Sequence, residues 1–289
     1  MSSDRAYAGR FAPSPSGPLH HGSLIAAVAS YLDARANSGR WHLRIDDIDT
    51  PRTVPGADRA IIAELNRLGL EHDGPIQFQS ERLERYRSAL ASLRDAGGCF
   101  DCGCTRREVA GGPYPGTCAN GLPPGREPRS VRVRVPSEPV TYLDVEQGLQ
   151  SVDLNLTSGH FVIRRADGLF AYHLASVLDD NDLGVTHVVR GEDLEDSAAP
   201  QTHLANRLQL HAVSYRHVPL VMGPDGRKLS KQNHAPATLD DEVIGLWRQT
   251  LQRLSLDPPA WQRNDSLQAI KRWAIEHWRQ KHGEFIWAE

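Results

Sequence analysis

The 289-residue sequence predicts an α/β fold built on a parallel sheet, with an inserted α+β subdomain and a short helical tail. Three observations predict it: a strand–loop–helix–strand order at the N-terminus, a break into period-2 segments around residues 131–156, and a return to alternating helix and strand before a helical end. The length corresponds to about two domains at roughly 150 residues each.

In chain order, residues 5–11 (RAYAGRF) read as a strand and APSPSGPLHHGS as a Pro/Gly loop. Leu24, Ile25, Val28, Tyr31, Leu32 and Arg35 then recur at helical spacing, with Gly39 as the stop, and WHLRI (41–45) is the next strand. That order is a βαβ unit, hence a parallel sheet. Two helices follow, one carrying Ile61, Ile62, Leu65 and Leu68, the other Leu83, Tyr86, Leu90 and Leu93.

Residues 97–128 hold every cysteine and many glycines and prolines. Val131, Val133 and Val135 alternate with Arg132 and Arg134, and Val152, Leu154 and Leu156 alternate with polar residues, which predicts antiparallel strands. FVIRRADGLFAY reads as a hairpin around its Asp-Gly turn. A helix near 173–182, a strand at 185–190, a helix near 197–210 and a strand at 218–222 precede a Gly-Pro-Asp-Gly turn and RKLSKQ. From Thr238 the pattern is helical, with capping-box-like spacing to Asp241. One stripe is Val243, Leu246, Trp247 and Leu251; another is Ile270, Trp273, Ala274 and Trp278, and aromatics at this spacing read as core.

The charge balance, 33 Lys plus Arg against 36 Asp plus Glu, excludes a bulk polycation. A nucleic-acid partner would need a local basic surface, for which Arg132, Arg134, Lys271 and Arg272 are candidates and solvated charge the plainer alternative. The longest apolar run, Leu24–Ala29, is too short for a bilayer, and MSSDRAYAGRFAP has no apolar signal core. The expectation is a cytoplasmic protein with no membrane contact. Four cysteines between 99 and 118 in a reducing compartment point to metal. No histidine lies between His72 and His160, so a local fourth ligand is not histidine. Unliganded thiols are the alternative.

Two motifs carry chemistry. In Arg10-Phe-Ala-Pro-Ser-Pro-Ser-Gly-Pro-Leu-His20-His21-Gly22-Ser23, a strand ends and a helix begins near Gly22, offering free N–H groups and a positive dipole end to phosphate. In Lys228-Leu-Ser230-Lys231, two cations and a hydroxyl on one loop suit a triphosphate. Their order and separation resemble the HIGH and KMSKS motifs of class I aminoacyl-tRNA synthetases. RIDDIDTPR (44–52), FAYHLASVLDD (170–180) and VVRGEDL (188–194) narrow the resemblance to glutamyl-tRNA synthetase and, within that family, to its short glutamyl-queuosine paralogue. The resemblance spans roughly residues 5–235 with five motifs in order.

It implies a Rossmann-type catalytic core, glutamate activation by ATP with Mg²⁺ and without tRNA, and transfer to queuosine, the wobble base of tRNA(Asp). His20 and Lys231 would be catalytic; His20, Gly22, Lys228, Ser230 and Lys231 would bind ATP. Arg10, Ala12, Ser14, Asp46, Tyr172 and Arg190 would bind L-glutamate, with an arginine fork favouring carboxylate over amide. Asp46 stands where the family usually has Glu, and Ser23 replaces the final His of HIGH. The paralogue's pattern Cys-x-Cys, Tyr, Cys matches Cys102, Cys104, Tyr114 and Cys118, for one structural Zn²⁺ per chain; Cys99 in place of Tyr114 is the alternative.

The implied division is 1–96 and 166–236 for the two halves of the catalytic domain, 97–165 for the zinc-binding insert and 237–289 for a helical stem-contact tail with no anticodon-binding domain. The expected partner is the queuosine-bearing anticodon stem-loop, the expected state a monomer. A non-catalytic synthetase-like RNA-binding protein, a synthetase charging a 3′ end and a nucleotidyltransferase of the same superfold are the alternatives. The last would lack the RIDDID and RGEDL strings found here.

Overall fold

The computed structural model describes residues 6–219 and 242–283. The chain separates into two compact units, Met1–Phe78 with Val185–Asp193 and Arg216–Glu289, and Gln79–Gly184 with Leu194–Tyr215. Among the described residues no helix is long and apolar enough to cross a membrane.

The first unit contains the predicted βαβ. Strand β1 (Ala8–Phe11), helix α1 (His21–Ala36) and strand β2 (Arg40–Ile45) follow the expected order. The two strands pair in parallel, Ala8 opposite Arg40, and β2 pairs in parallel with the short β3 (Gln77–Phe78). Strand β9 (His187–Gly191) lies on the other side of β1, where the Thr186 N–H donates to Ala8 O at 2.8 Å. Helix α1 is buried on more faces than its apolar stripe predicts, since Ser30, Asp33 and four alanines are also covered. Such a helix is core rather than surface. It stops three residues before Gly39: Ser38 takes the left-handed turn (φ 54°), and Gly39 is required because a Cβ there would lie 2.5 Å from Tyr7 O.

Helices α2 (Ala57–Arg67), α6 (Val243–Arg253) and α7 (Leu267–His282) complete the core around Trp41, Trp247 and Trp278. Each buried indole N–H has a partner: Ser30 Oγ at 3.0 Å, Leu68 O at 3.1 Å and Asp33 Oδ1 at 2.8 Å. Trp247 and Trp278 are thus core, as expected; Trp273 is half-buried, edge-on to Trp261. Thr238 lies outside the described residues, and α6 is capped by the Glu242 carboxylate, which accepts from Ile244 N–H and Gly245 N–H.

A buried polar node joins all three segments of this unit. Asp33 on α1 accepts from Tyr7 Oη and Trp278 Nε1 and lies 3.3 Å from Arg216 Nε. Arg216 also reaches His282 Nδ1 at 2.6 Å, and His187 stacks on Tyr7 with 4.2 Å between rings. Arg216 and His217 explain a shift from expectation. The strand expected at 218–222 is β10, Ser214–Val218, where polar residues are buried because they have partners; Leu220–Met222 lie outside the described residues.

The second unit contains the antiparallel strands. β4 (Cys99–Cys102), β5 (Ser130–Val133) and β8 (Val162–Arg164) form one sheet in that order, and β6 (Val140–Asp144) pairs with β7 (Gly148–Val152). The 162–170 segment turns back as its Asp-Gly predicts, with a bridge between Arg164 and Phe170. The strand expected through Val152, Leu154 and Leu156 ends at Val152. Asp153 accepts from Asn155 N–H at 2.8 Å in an Asx turn, and Leu156 is exposed. Helices α3 (Leu83–Asp95) and α4 (Tyr172–Asp182) are tied by Asp179, which accepts from Gln79, Arg82 and Tyr86. Helix α5 (Ala198–Arg207) completes the unit.

Burial holds His187 down at about 3 and His282 at about 4, with Arg216 adding to both shifts. Unfolded histidine protonates near 6.5, so the unfolded chain gains protons first. This contribution is therefore full well above about pH 6.5 and is lost as pH falls through 6.5 toward the folded values of about 4 and about 3. A fully buried group contributes a slope of up to about 1.4 kcal/mol per pH unit; His282, only half-buried, contributes less. Urea denaturation across this window should show the decline, and His187→Phe, which keeps the ring on Tyr7, should flatten it.

Candidate active site and metal centre

In the first unit the loop after β1 is fixed by backbone bonds from the segment after β2: Asp46 N–H donates to Pro13 O at 3.0 Å and Val54 N–H to Pro15 O at 2.8 Å. Ala12 is half-buried and Ser14 exposed on this loop. The loop delivers the chain to His20, the N-cap of α1, with Gly22 in the first turn. His20 Nδ1 accepts from Ser23 N–H at 3.2 Å, and Ser23 Oγ accepts from His20 N–H at 2.9 Å, a reciprocal capping box. This gives Ser23 a structural reason to replace histidine. With Nδ1 an acceptor, the neutral imidazole carries its proton on Nε2, which makes that nitrogen a donor.

Arg10 and Arg190 sit on neighbouring strands β1 and β9, both nearly fully buried. Arg10 Nη1 donates to Val189 O at 3.3 Å, and Arg190 Nε donates to His217 Nε2 at 3.1 Å. Two buried guanidiniums on adjacent strands form a cationic floor suited to a carboxylate. Asp46, just beyond β2, is gripped by the fully buried Arg44: Nε to Oδ1 at 2.6 Å and Nη2 to Oδ2 at 3.3 Å. A carboxylate has roughly four acceptor positions, so an ammonium can be added to this pair. Sequence reasoning missed Arg44; its i, i+2 spacing to Asp46 was the available signal.

Tyr172 belongs to the second unit, where it is the first residue of α4 and packs against His173. Lys228, Ser230 and Lys231 lie outside the described residues.

The second unit also gathers Cys102, Cys104 and Cys118, whose sulfurs lie within 4.8 Å of one another. Cys104 Sγ is 3.7 Å from Cys118 Sγ, and Tyr114 Oη is 3.4 Å from Cys102 Sγ and 3.7 Å from Cys104 Sγ. A tetrahedral zinc with Zn–S of about 2.3 Å and Zn–O of about 2.0 Å requires edges of roughly 3.8 Å (S to S) and roughly 3.5 Å (S to O). The donor set fits. Cys99 is buried on the same strand but is not among the grouped sulfurs.

Tyr114 is held by its own hydroxyl, which accepts from Cys118 N–H at 2.9 Å, and by a backbone bridge to Gly159. A Cβ on Gly159 (φ 59°) would lie 2.4 Å from Tyr114 N. Burial raises the Cys102 thiol, but hydrogen bonds from Tyr114, the Cys104 backbone and Arg132 outweigh it and bring the pKa down to about 7. Burial, then bonding to the sulfurs, raises the Tyr114 phenol.

Arg132 donates to Cys102 Sγ at 3.3 Å and to His160 O at 2.7 Å, with its guanidinium 4.0 Å over the Tyr114 ring. Arg134 donates to Ala119 O and covers Phe100. The two arginines expected at a surface therefore turn inward, drawn by sulfur and aromatic faces. Lys271 is likewise buried, 3.2 Å from Glu71, whereas Arg272 is exposed.

The family model for class I tRNA synthetases (E and Q), catalytic domain, matches residues 8–111 and 123–248. A relative from Aromatoleum aromaticum, named glutamyl-Q tRNA(Asp) synthetase, is 49% identical over 94% of this chain and 89% of its own length. One of the same name from Bordetella bronchiseptica is 48% identical over 96% of this chain and 90% of its own. Among solved structures, a glutamate tRNA ligase from Elizabethkingia meningosepticum, in complex with its amino acid, superposes with a TM-score of 0.76. It is 24% identical and the match covers 96% of this chain and 70% of that one, a likeness of fold. The chain therefore belongs to the class I tRNA synthetases of the E and Q type, ligases among which relatives 48–49% identical to it carry the name glutamyl-Q tRNA(Asp) synthetase.

Proposed function

We propose that this chain activates L-glutamate with ATP without needing tRNA, then transfers the glutamyl group to queuosine at the wobble position of tRNA(Asp). The carrying observation is the name shared by relatives at 48–49% identity over more than nine tenths of the chain. The buried Arg10 and Arg190 support glutamate as the amino acid.

A glutamate carboxylate oxygen attacks the α-phosphorus, the bond to the β-phosphate oxygen breaks, and pyrophosphate leaves. A queuosine hydroxyl then attacks the glutamyl carbonyl carbon, and AMP leaves. Neither step needs a covalent enzyme intermediate, so catalysis is positioning plus charge stabilisation. Arg10 and Arg190 take the side-chain carboxylate, Asp46 the ammonium, Tyr172 and Ser14 further polar edges, and Ala12 lines the pocket. His20 donates from Nε2 to phosphate as charge develops, Gly22 lies against the nucleotide, and Lys228, Ser230 and Lys231 hold the triphosphate with Mg²⁺. Asp46 reaches one methylene less far than Glu, and its clamp by Arg44 fixes it there.

Zinc on Cys102, Cys104, Cys118 and Tyr114 is structural in this reading. It fixes the 97–165 insert, whose loops are poor in core-forming residues, and the site acts on no substrate. The reading takes the protein as a monomer in the cytoplasm, a reducing compartment in which its four cysteines stay unbridged.

Glutamate-dependent ATP–pyrophosphate exchange is expected without tRNA, and glutamine should not substitute. No exchange under these conditions favours a purely RNA-binding protein. Labelled glutamate should enter tRNA(Asp) bearing queuosine and not tRNA(Asp) lacking it; labelling of tRNA(Glu) at its 3′ end instead would overturn the acceptor. Arg190→Ala removes a charged hydrogen-bond partner, typically worth about 1.5–3 kcal/mol, so kcat/KM for glutamate should fall about 10- to 100-fold.

Metal analysis should find about one zinc per chain. Gly159→Ala should displace Tyr114 and lower zinc retention against a chelator. Undiminished retention would remove Tyr114 from the ligand set.

A further inference from the structure

The second unit carries a cavity of about 290 Å³ that no step above uses. Four arginines from separate stretches of chain line it: Arg94 on α3, Arg129 at the start of β5, and Arg164 and Arg165 at the end of β8. Asp101 is the one acidic residue in the lining. The balance is four positive charges against one, in a chain whose net charge is -3.

These arginines differ from Arg132 and Arg134, which belong to the same sheet but are spent on sulfur and aromatic rings. Arg94 pairs with Asp101 at 2.6 Å, and both side chains are more than a third exposed. Arg165 pairs with the exposed Asp167 at 2.5 Å. An exposed pair is worth about 1 kcal/mol or less, so Asp101 orients the Arg94 guanidinium without committing it. The exposed Arg164 donates to Gly168 O at 3.5 Å, and Arg129, also exposed, makes no side-chain hydrogen bond or ion pair among the described residues. Charge on the edge strand β8 would guard against edge-to-edge pairing, which accounts for Arg164 but not for Arg94 or Arg129 on other elements. The apolar lining is small, Pro128, Val131 and Ala166, with none of the aromatic anchors a protein partner uses.

We propose that this arginine-lined groove is a docking surface for the phosphodiester backbone of the RNA substrate. The proposal rests on the tRNA reading above and deepens it by assigning the phosphate contacts to Arg94, Arg129, Arg164 and Arg165. Guanidiniums there engage phosphate oxygens in pairs, set the register of the RNA and read no sequence.

The test uses the full chain and its double variant Arg129→Glu/Arg164→Glu, with Arg87→Glu on α3 as a charge-reversal control matched to each single variant, Arg129→Glu and Arg164→Glu, and Arg129→Lys/Arg164→Lys as the charge-preserving variant. Binding of queuosine-bearing tRNA(Asp) is measured by fluorescence anisotropy at several salt concentrations, and glutamate-dependent ATP–pyrophosphate exchange is measured in parallel. Each lost phosphate contact lowers the slope of log K against log salt by about 0.7–0.9, so the double variant should lose roughly 1.4–1.8 in slope. It should also bind about tenfold or more weakly, the lysine variant within a few-fold of the parent, and exchange should be unchanged. An unchanged slope and affinity, or equal weakening by Arg87→Glu, overturns the groove. Loss of exchange in the double variant also overturns it, because the damage then reaches beyond docking. A parent that shows no exchange yet binds RNA through these arginines refutes the activation reading and leaves the groove standing.

Discussion

The buried carboxylate of Asp33 organises the first unit. A charge sealed inside a helix is tolerated only when its oxygens are paired, and removing one partner of such a cluster typically costs about 3–5 kcal/mol. Asp33 meets that requirement by drawing in Tyr7 from before β1, Arg216 from β10 and Trp278 from α7. Residues more than 200 positions apart thereby converge on one atom pair. Helix α7 is thus part of the first unit's own core, and the strands that hold Arg10 and Arg190 are anchored by the same node.

A second buried charge pair does for the site what Asp33 does for the core. Arg44 and Asp46 lie two residues apart at the end of β2, and the Asp46 backbone holds Pro13 in the loop that leads to His20. The carboxylate proposed to meet the glutamate ammonium and the helix start proposed to face phosphate are therefore referenced to the same short stretch of chain. Shortening Glu to Asp at this position moves the charge toward the backbone, and the Arg44 fork gives it a fixed orientation there.

Legibility from sequence followed the physics of each element. The βαβ unit was readable because apolar residues repeat with the period of the structure they form, and the HIGH-like loop because Gly and Pro mark a turn before a helix. Spacing alone marked the four cysteines as a metal cluster, and the family resemblance picked out the three whose sulfurs lie together. What escaped were polar residues made internal by partners far away in sequence. SYRHV did not look like a buried strand because its burial depends on Asp33 and Arg190. Arg132 and Arg134 looked like an outward face because alternation cannot report a thiolate or an aromatic ring waiting inside. Val152–Leu156 looked like one strand because an Asx turn at Asp153 leaves the apolar alternation intact while ending the pairing. Gly39 looked like a helix stop, and its real constraint is the backbone of Tyr7 passing beside it.

The N-cap of α1 has a consequence for how substitutions there are to be understood. His20 closes the helix with the same ring that is proposed to face the nucleotide, so the residue answers to two demands at once. An N-cap is worth about 1 kcal/mol to its helix. A substitution that cannot cap therefore mixes a folding defect into a kinetic one, whereas asparagine, itself a strong cap, separates them. Ser23 is the other half of the device: by taking the His20 N–H and giving its own to Nδ1, it decides which nitrogen carries the proton before any ligand arrives. The polarity of the site's donor is thus written into the local fold of the helix start, not supplied by the substrate.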